Sequence, residues 1–365
     1  MAVLSDLEIV LGALVLLVTL YDVFQSIVLP RPSVGRIRLG PLAIRYGWRI
    51  WRTAVNRLRS LRRRESALAV YAPLMVAVLL VLWAFASIAA YALLYDGLDG
   101  GLVPHPGSFG GALFFSAGRF LAFQNGSTTV TGTVVPLLTS LEAANGFGLF
   151  ALVISLLFSL FNAFQRRETA VVALDALAGA PPSGVQLLET CAKHHMPDQL
   201  VTTFVTWRDW SADVLESHLA YPLLFYFRSS HDNESWTNSF GAVMDAATLV
   251  LSVVEDGPLG PARLMYKVGD HLVQDMRQYL GIPQSGETFI ERHEFLEACE
   301  RLERVGYTLR DVEHGWDEFR RLRSAYGSLL NQVARNLVVP PAPWIGDRSY
   351  LPHRDRGQRT RRRAA

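Results

Sequence analysis

The chain has 365 residues, half of them apolar, and yet 19% are Lys, Arg, Asp or Glu, with a formal net charge of only +2. Length leaves room for about two domains, and the composition describes a chain divided between lipid and water rather than a uniformly apolar one. Two cysteines, Cys191 and Cys299, exclude a disulfide framework and fit a reducing cytosol.

In chain order, residues 1–30 hold a first apolar run, from Leu7 to Leu29, of the length that crosses a hydrocarbon core. It is too long for a signal-peptide core and has no small-residue cleavage site after it, so it is expected to stay in the mature chain. Asp22 and Gln25 lie near its end, where interfacial water or a neighbouring helix would satisfy them, and Pro30 and Pro32 stop it. Residues 31–66 form a basic segment: Arg31 to Arg64 includes eleven arginines and no Asp or Glu. Ile44, Trp48, Trp51, Val55 and Leu58 recur at helical spacing among those arginines. The pattern predicts an amphipathic helix along anionic headgroups with tryptophan anchors, or a plain cytoplasmic linker.

Residues 67–165 carry the element around which the chain is organised. A second span covers Ala67 to Tyr95, with Pro73 in its first turns. A short apolar helix follows from Phe109 with Ser108 as N-cap, then a Gly- and hydroxyl-rich break, then a span from Ser140 to Gln165. Non-helical backbone is tolerated at membrane depth only where protein or a wet cavity receives it. A re-entrant half-helix and a pore are therefore expected. Between Asp96 and Thr139 the only basic residue is Arg119. The positive-inside rule accordingly places 31–64 in the cytosol, the N-terminus outside and everything after Gln165 in the cytosol.

Residues 166–339 read as an all-α cytosolic domain of about six helices, among them Pro197–Leu219, Trp236–Glu255, Pro261–Leu280 and Asp311–Leu337. Residues 340–365 end in RTRRRAA and are expected to form a disordered basic tail that meets lipid headgroups. No nucleic-acid fold accompanies the charge.

Four stretches carry a resemblance: YDVFQSIVLPR at 21–31, FFSAG at 114–118, EAANGFGLFALVISLLFSLFNAFQRRE at 142–168 and ESHLAYPLLFYFRSSHDNESW at 216–236. They resemble the pore domain of the potassium-channel superfamily and a bacterial group of two-pore-type potassium channel family proteins. The resemblance implies a homotetramer in the inner membrane, because each chain would supply one pore loop. It also implies a filter close to T-x-G-Y/F/L-G-D, whose carbonyls replace the hydration shell of the ion. At those positions this chain has Ala122, Phe123, Gln124, Asn125, Gly126 and Ser127. The threonine hydroxyl is missing, Gln124 stands where the first glycine would be, and Ser127 replaces the carboxylate. Potassium selectivity is not expected.

Arg119 lies one turn before the break, where a charge needs a partner. Glu142 is the expected one, and the alternative is that Arg119 repels cations. In the last span Asn145, Gly148, Leu152, Ser155, Ser159 and Asn162 share one helix face. They are expected to line the conduit, with Gly146 or Gly148 as a bend; close helix packing is the alternative.

Other chemistry is not expected. Cys191, His194 and His195 share a helix face but no second ligand pair stands at zinc spacing. The run His231 to Ser235 reads as a loop that caps the helix starting near Trp236, with an inter-subunit or ligand contact as the other reading. Trp207, Trp210, Tyr221, Phe225 and Tyr226 are expected in the core. Nucleotide-binding, nucleophile-elbow and zinc-protease motifs are absent, so neither an enzyme nor a cofactor is expected. An ion channel-like homotetramer is the leading reading, a non-conducting scaffold or sensor the second. A transporter is the third, without a visible inverted half.

Overall fold

The computed structural model describes residues 2–29, 39–98, 101–123, 128–229, 235–281, 290–339, 342 and 344. The fold is all-α, and three helices are long and apolar enough to cross a membrane. The chain divides into two compact units: Met1–Asn162 with Leu219–Phe227, and Ala163–His218 with Arg228–Ala365.

The first unit starts with α1 (Ala2–Val23), which passes into a π-helical turn (Phe24–Val28). Helix α2 (Leu39–Val55) follows, then α3 (Leu61–Gly97), which contains Pro73 without breaking. Helix α1 packs along α3. Asp22, at the end of α1, is buried and accepts from the indole N–H of Trp83 at 2.8 Å and from Gly40 N at 3.4 Å. A neighbouring helix, rather than interfacial water, satisfies this carboxylate.

The basic segment is helical as its periodicity predicts, and its tryptophans make contacts within the chain. Trp48 is buried between Tyr71 and Tyr226, with ring centroids 5.0 and 4.9 Å away. The Trp51 indole donates to Ala67 O at 3.0 Å, and Tyr71 Oη to Ile44 O at 2.5 Å. Aromatic pairs and a buried hydroxyl with a partner favour protein over lipid for that stripe. The arginines stay outside: Arg45 and Arg49 are exposed and Arg52 half-exposed. Tyr226 belongs to the 3-10 turn Pro222–Tyr226, which returns from the later part of the chain to pack on α3.

Strand β1 (Leu102–Val103) pairs antiparallel with β2 (Thr129–Val130), with Leu102 opposite Val130. This ladder closes the loop that contains α4 (Phe109–Phe120). Helix α5 (Val134–Ala178) then runs without interruption past Arg166 and Arg167, and the division between the units falls inside it.

The second unit continues through α6 (Gly184–Lys193), α7 (Pro197–Ala220), α8 (Trp236–Ser252), α9 (Leu259–Leu280), α10 (Arg292–Arg304) and α11 (Val312–Asn336). Helix α8 is its axis: every residue of it except Leu251 is buried, and α6, α9 and α11 pack around it. Local signals set the ends. Gly281 closes α9 in the left-handed conformation, and Glu291 with Glu294 forms a capping box on α10. Trp207, Trp210, Phe225 and Tyr226 are buried as expected, while Tyr221 is half-exposed.

Buried charges in this unit are paired. Arg323 donates to Asp245 at 2.9 Å and also bonds the carbonyl of Trp344, while Tyr326 Oη donates to the same carboxylate at 2.6 Å. Arg167, 1% exposed, meets Glu168 at 2.9 Å and lies over the rings of Phe164 and Trp236.

Candidate functional site

Helix α4 forms because Ser108, in an extended conformation, accepts from Gly111 N at 3.3 Å, and an apolar run follows. It packs on α3 through Phe115, whose ring meets Tyr95 edge-on at 5.1 Å. At its far end Phe123 N bonds Gly118 O at 2.7 Å and Ala122 N bonds Arg119 O at 3.1 Å. That pair of bonds is a Schellman cap, and it requires a left-handed residue at Ala122, whose φ is +58°. Ala122, which the resemblance puts at the filter, is a helix cap. Phe123 is exposed, and Gln124, Asn125, Gly126 and Ser127 lie outside the described residues.

Arg119 is half-buried with its guanidinium over the Phe115 ring at 5.0 Å. It is close enough to Glu142 to act on it electrostatically but forms no ion pair with it. Glu142, fully buried, instead accepts from Tyr95 Oη at 2.6 Å and lies 2.5 Å from Ser116 Oγ, which also reaches Ile88 O at 2.8 Å. The expected Arg119–Glu142 pair is replaced by a network of hydroxyl groups that fastens α5 to α3 and α4. Neither Tyr95 nor Ser116 was legible as part of the site; a hydroxyl in an apolar helix gives no indication of its partner.

At Gly146 the α5 backbone lies against the end of α4. A Cβ there would lie 2.1 Å from Phe120 O, whereas nothing lies within 4 Å of the equivalent position on Gly148. Of the two glycines expected to bend the span, one is a packing requirement and the other has open space beside it.

The predicted stripe on α5 lies on the surface of the single chain. Gly148, Ser155 and Asn162 are exposed, and Asn145, Leu152 and Ser159 are partly so. The face about a quarter turn round the same helix, with Leu149, Val153, Leu156 and Leu160, is buried. Ser159 Oγ turns back to Ser155 O at 3.0 Å.

The remaining candidates separate. Cys191 is buried and burial pushes its thiol up, while His194 and His195 are exposed. His195, at φ +54°, occupies the same capping position on α6 that Ala122 occupies on α4. No group of three metal-ligating side chains occurs among the described residues. His231, Asp232, Asn233 and Glu234 lie outside those residues. Ser235 stands at the N-cap of α8, yet its hydroxyl pairs with Thr237 at 2.8 Å instead of capping; the Trp236 N–H goes to Ser229 Oγ at 3.2 Å.

Family models, curated proteins and solved structures were compared with this chain, and none matches.

Proposed function

We propose that the chain is an ion channel-like membrane protein whose copies, four by the pore-loop logic, surround a shared wet passage. The observation that carries this reading is the outward polar stripe on α5. Amide and hydroxyl groups on the lipid-facing side of a span are costly unless other helices or water receive them, and Asn162 and Ser155 are exposed on their own chain. Copies packed about an axis would supply both. Helix α4 fits the same layout. Its 12 residues reach about 18 Å, well short of the roughly 30 Å hydrocarbon core. It is held between α3 and α5 as a re-entrant pore helix would be. In this topology the N-terminus is outside, and the second unit and the arginines of α2 are cytosolic.

A non-conducting scaffold or sensor is the second reading. The buried α8 and its surrounding helices favour it, because they form a complete core that owes nothing to a pore. Recording from purified protein in planar bilayers, with cross-linking to count subunits, separates the two. Conduction by a tetramer, reduced several-fold by Ser155→Leu with Asn162→Leu, supports the channel; a tetramer silent in every salt supports the scaffold. A stable monomer removes the shared passage altogether.

A further inference from the structure

Helix α2 has two apolar faces, and one of them is buried in its own chain. Ile44, Trp48 and Val55 are buried there, with Trp51 half-buried beside them. Leu42, Tyr46 and Ile50, at i, i+4 and i+8, form a second stripe that is 40, 54 and 73% exposed. At about 100° per residue it lies roughly 170° round the helix from the first. Single exposed apolar side chains need no explanation, but a continuous stripe of them marks a surface that something covers.

The packing of the first unit fixes the level of this stripe. Helix α2 stands between two helices apolar enough to span a membrane, and only residues 56–60 separate it from α3. Ser5 Oγ bonds Gly97 O at 2.5 Å, so the start of α1 lies beside the end of α3. A Cβ on Gly47 would lie 3.2 Å from Met75 Sδ. Between Met75 and Gly97 α3 rises about 33 Å, close to the roughly 30 Å thickness of one hydrocarbon core. The middle of α2 therefore stands one core thickness from the start of α1, at the opposite boundary of a bilayer that these helices cross.

Lipid and a second copy are the coverings available at that level. Arg49, Arg57 and Arg59 are exposed, in a stretch from Arg31 to Arg64 without a carboxylate. Copies meeting through this helix would set like charge against like, whereas a headgroup layer accepts it. The Arg49 guanidinium lies over the Tyr46 ring at 5.5 Å. An aromatic ring and a long cation, each apolar along its body and polar at its tip, suit the boundary between acyl chains and water.

We propose that α2 is an interfacial anchor, with Leu42, Tyr46 and Ile50 docked on the bilayer where acyl chains meet headgroups and the tryptophans turned away into the chain. The inference rests on the spans and not on conduction, so a silent protein leaves it intact. Paramagnetic resonance of the full chain in vesicles of phosphatidylglycerol and phosphatidylcholine tests it, with one nitroxide on Leu42→Cys, Tyr46→Cys, Ile50→Cys or Arg59→Cys. Cys191 and Cys299 are buried, so a brief reaction reaches only the introduced thiol. Oxygen collects in hydrocarbon and a nickel chelate in water. The ratio of their collision rates is expected to be several-fold higher at the three stripe positions than at Arg59, which is exposed beyond the end of α2. An unchanged helical spectrum and elution volume confirm that the variants fold, and if one stripe position fails that check the other two carry the test. Ratios equal to that at Arg59 would put the stripe in water, and few collisions with either reagent would put it beneath a second copy; both results overturn the proposal.

Discussion

The two units handle buried carboxylates differently. In the first, Asp22 and Glu142 take neutral donors: an indole and a backbone N–H for one, hydroxyls for the other. In the second, Asp245, Glu189 and Glu168 each meet an arginine, at 2.9, 2.8 and 2.9 Å. Further ion pairs of the second unit, such as Arg166–Asp213 and Arg321–Glu318, lie on its surface. The exteriors differ in parallel. Leu17, Val81, Phe85, Phe150 and Phe158 are among many large apolar side chains exposed on the first unit, whereas the second exposes few. A guanidinium brought into a lipid-facing unit must lose its hydration along with the carboxylate, so neutral donors are the less costly partner there. Two similar helical interiors thus have opposite surfaces, one largely apolar and the other largely polar.

The sharpest way to break this comparison is to remove one member of each kind of pair. Glu168→Ala leaves Arg167 buried without its counter-charge and is expected to cost about 3–5 kcal/mol. Glu142→Gln keeps an oxygen for Tyr95 and is expected to cost about 1 kcal/mol. Denaturant unfolding followed by tryptophan fluorescence checks both; equal losses would mean that the two units treat charge alike. Next in size is a packing test confined to the first unit. Gly146→Ala drives a methyl into the Phe120 carbonyl and is expected to cost about 1–3 kcal/mol. Gly148→Ala, with open space beside it, is expected to cost less than about 0.5 kcal/mol, measured in the same way.

The helical architecture was largely legible, because spans and amphipathic helices repeat a period that needs no tertiary information. Expected and observed helices agree closely at Pro197, Trp236 and Leu280. What the sequence could not provide is which neighbour each face meets. The Trp48 stripe was read against lipid, since the partners Tyr71 and Tyr226 stand 23 and 178 positions away. The same applies to Glu142, whose nearest opposite charge in the sequence pattern was Arg119, while Tyr95 and Ser116 hold it in space. The two-residue ladder around α4 was too short to leave a periodic trace.

A third effect belongs to the second unit alone. His218 is fully buried, and burial together with the neighbouring Arg167 guanidinium holds its pKa well below the usual imidazole range. The folded chain keeps it neutral while the unfolded chain protonates it near its ordinary value of about 6.5. Its contribution is therefore complete above about pH 6.5 and declines by about 1.4 kcal/mol per pH unit below it. Unfolding between about pH 5 and 7 should show that slope, and His218→Gln should flatten it; a slope unchanged in the variant would assign the acid sensitivity elsewhere.

The smallest effect concerns backbone, and its sign depends on two opposing quantities. Ala122 caps α4 at φ +58°, where a Cβ costs roughly 1–2 kcal/mol. Glycine would remove that strain, but a glycine also widens the unfolded ensemble, at a cost of about 0.4–1 kcal/mol. The difference favours glycine, so Ala122→Gly is expected to stabilise the first unit by about 0.5–1 kcal/mol. Leu121→Gly, one residue earlier at φ −87°, relieves no strain and is expected to destabilise by about 0.5–1 kcal/mol. Opposite shifts of the unfolding midpoint at adjacent positions would identify the turn after α4 as a helix cap whose cost the rest of the unit absorbs. If Ala122→Gly instead lowers the midpoint, its left-handed conformation is not what ends the helix, and the polar break after Phe123 must be set by residues further along.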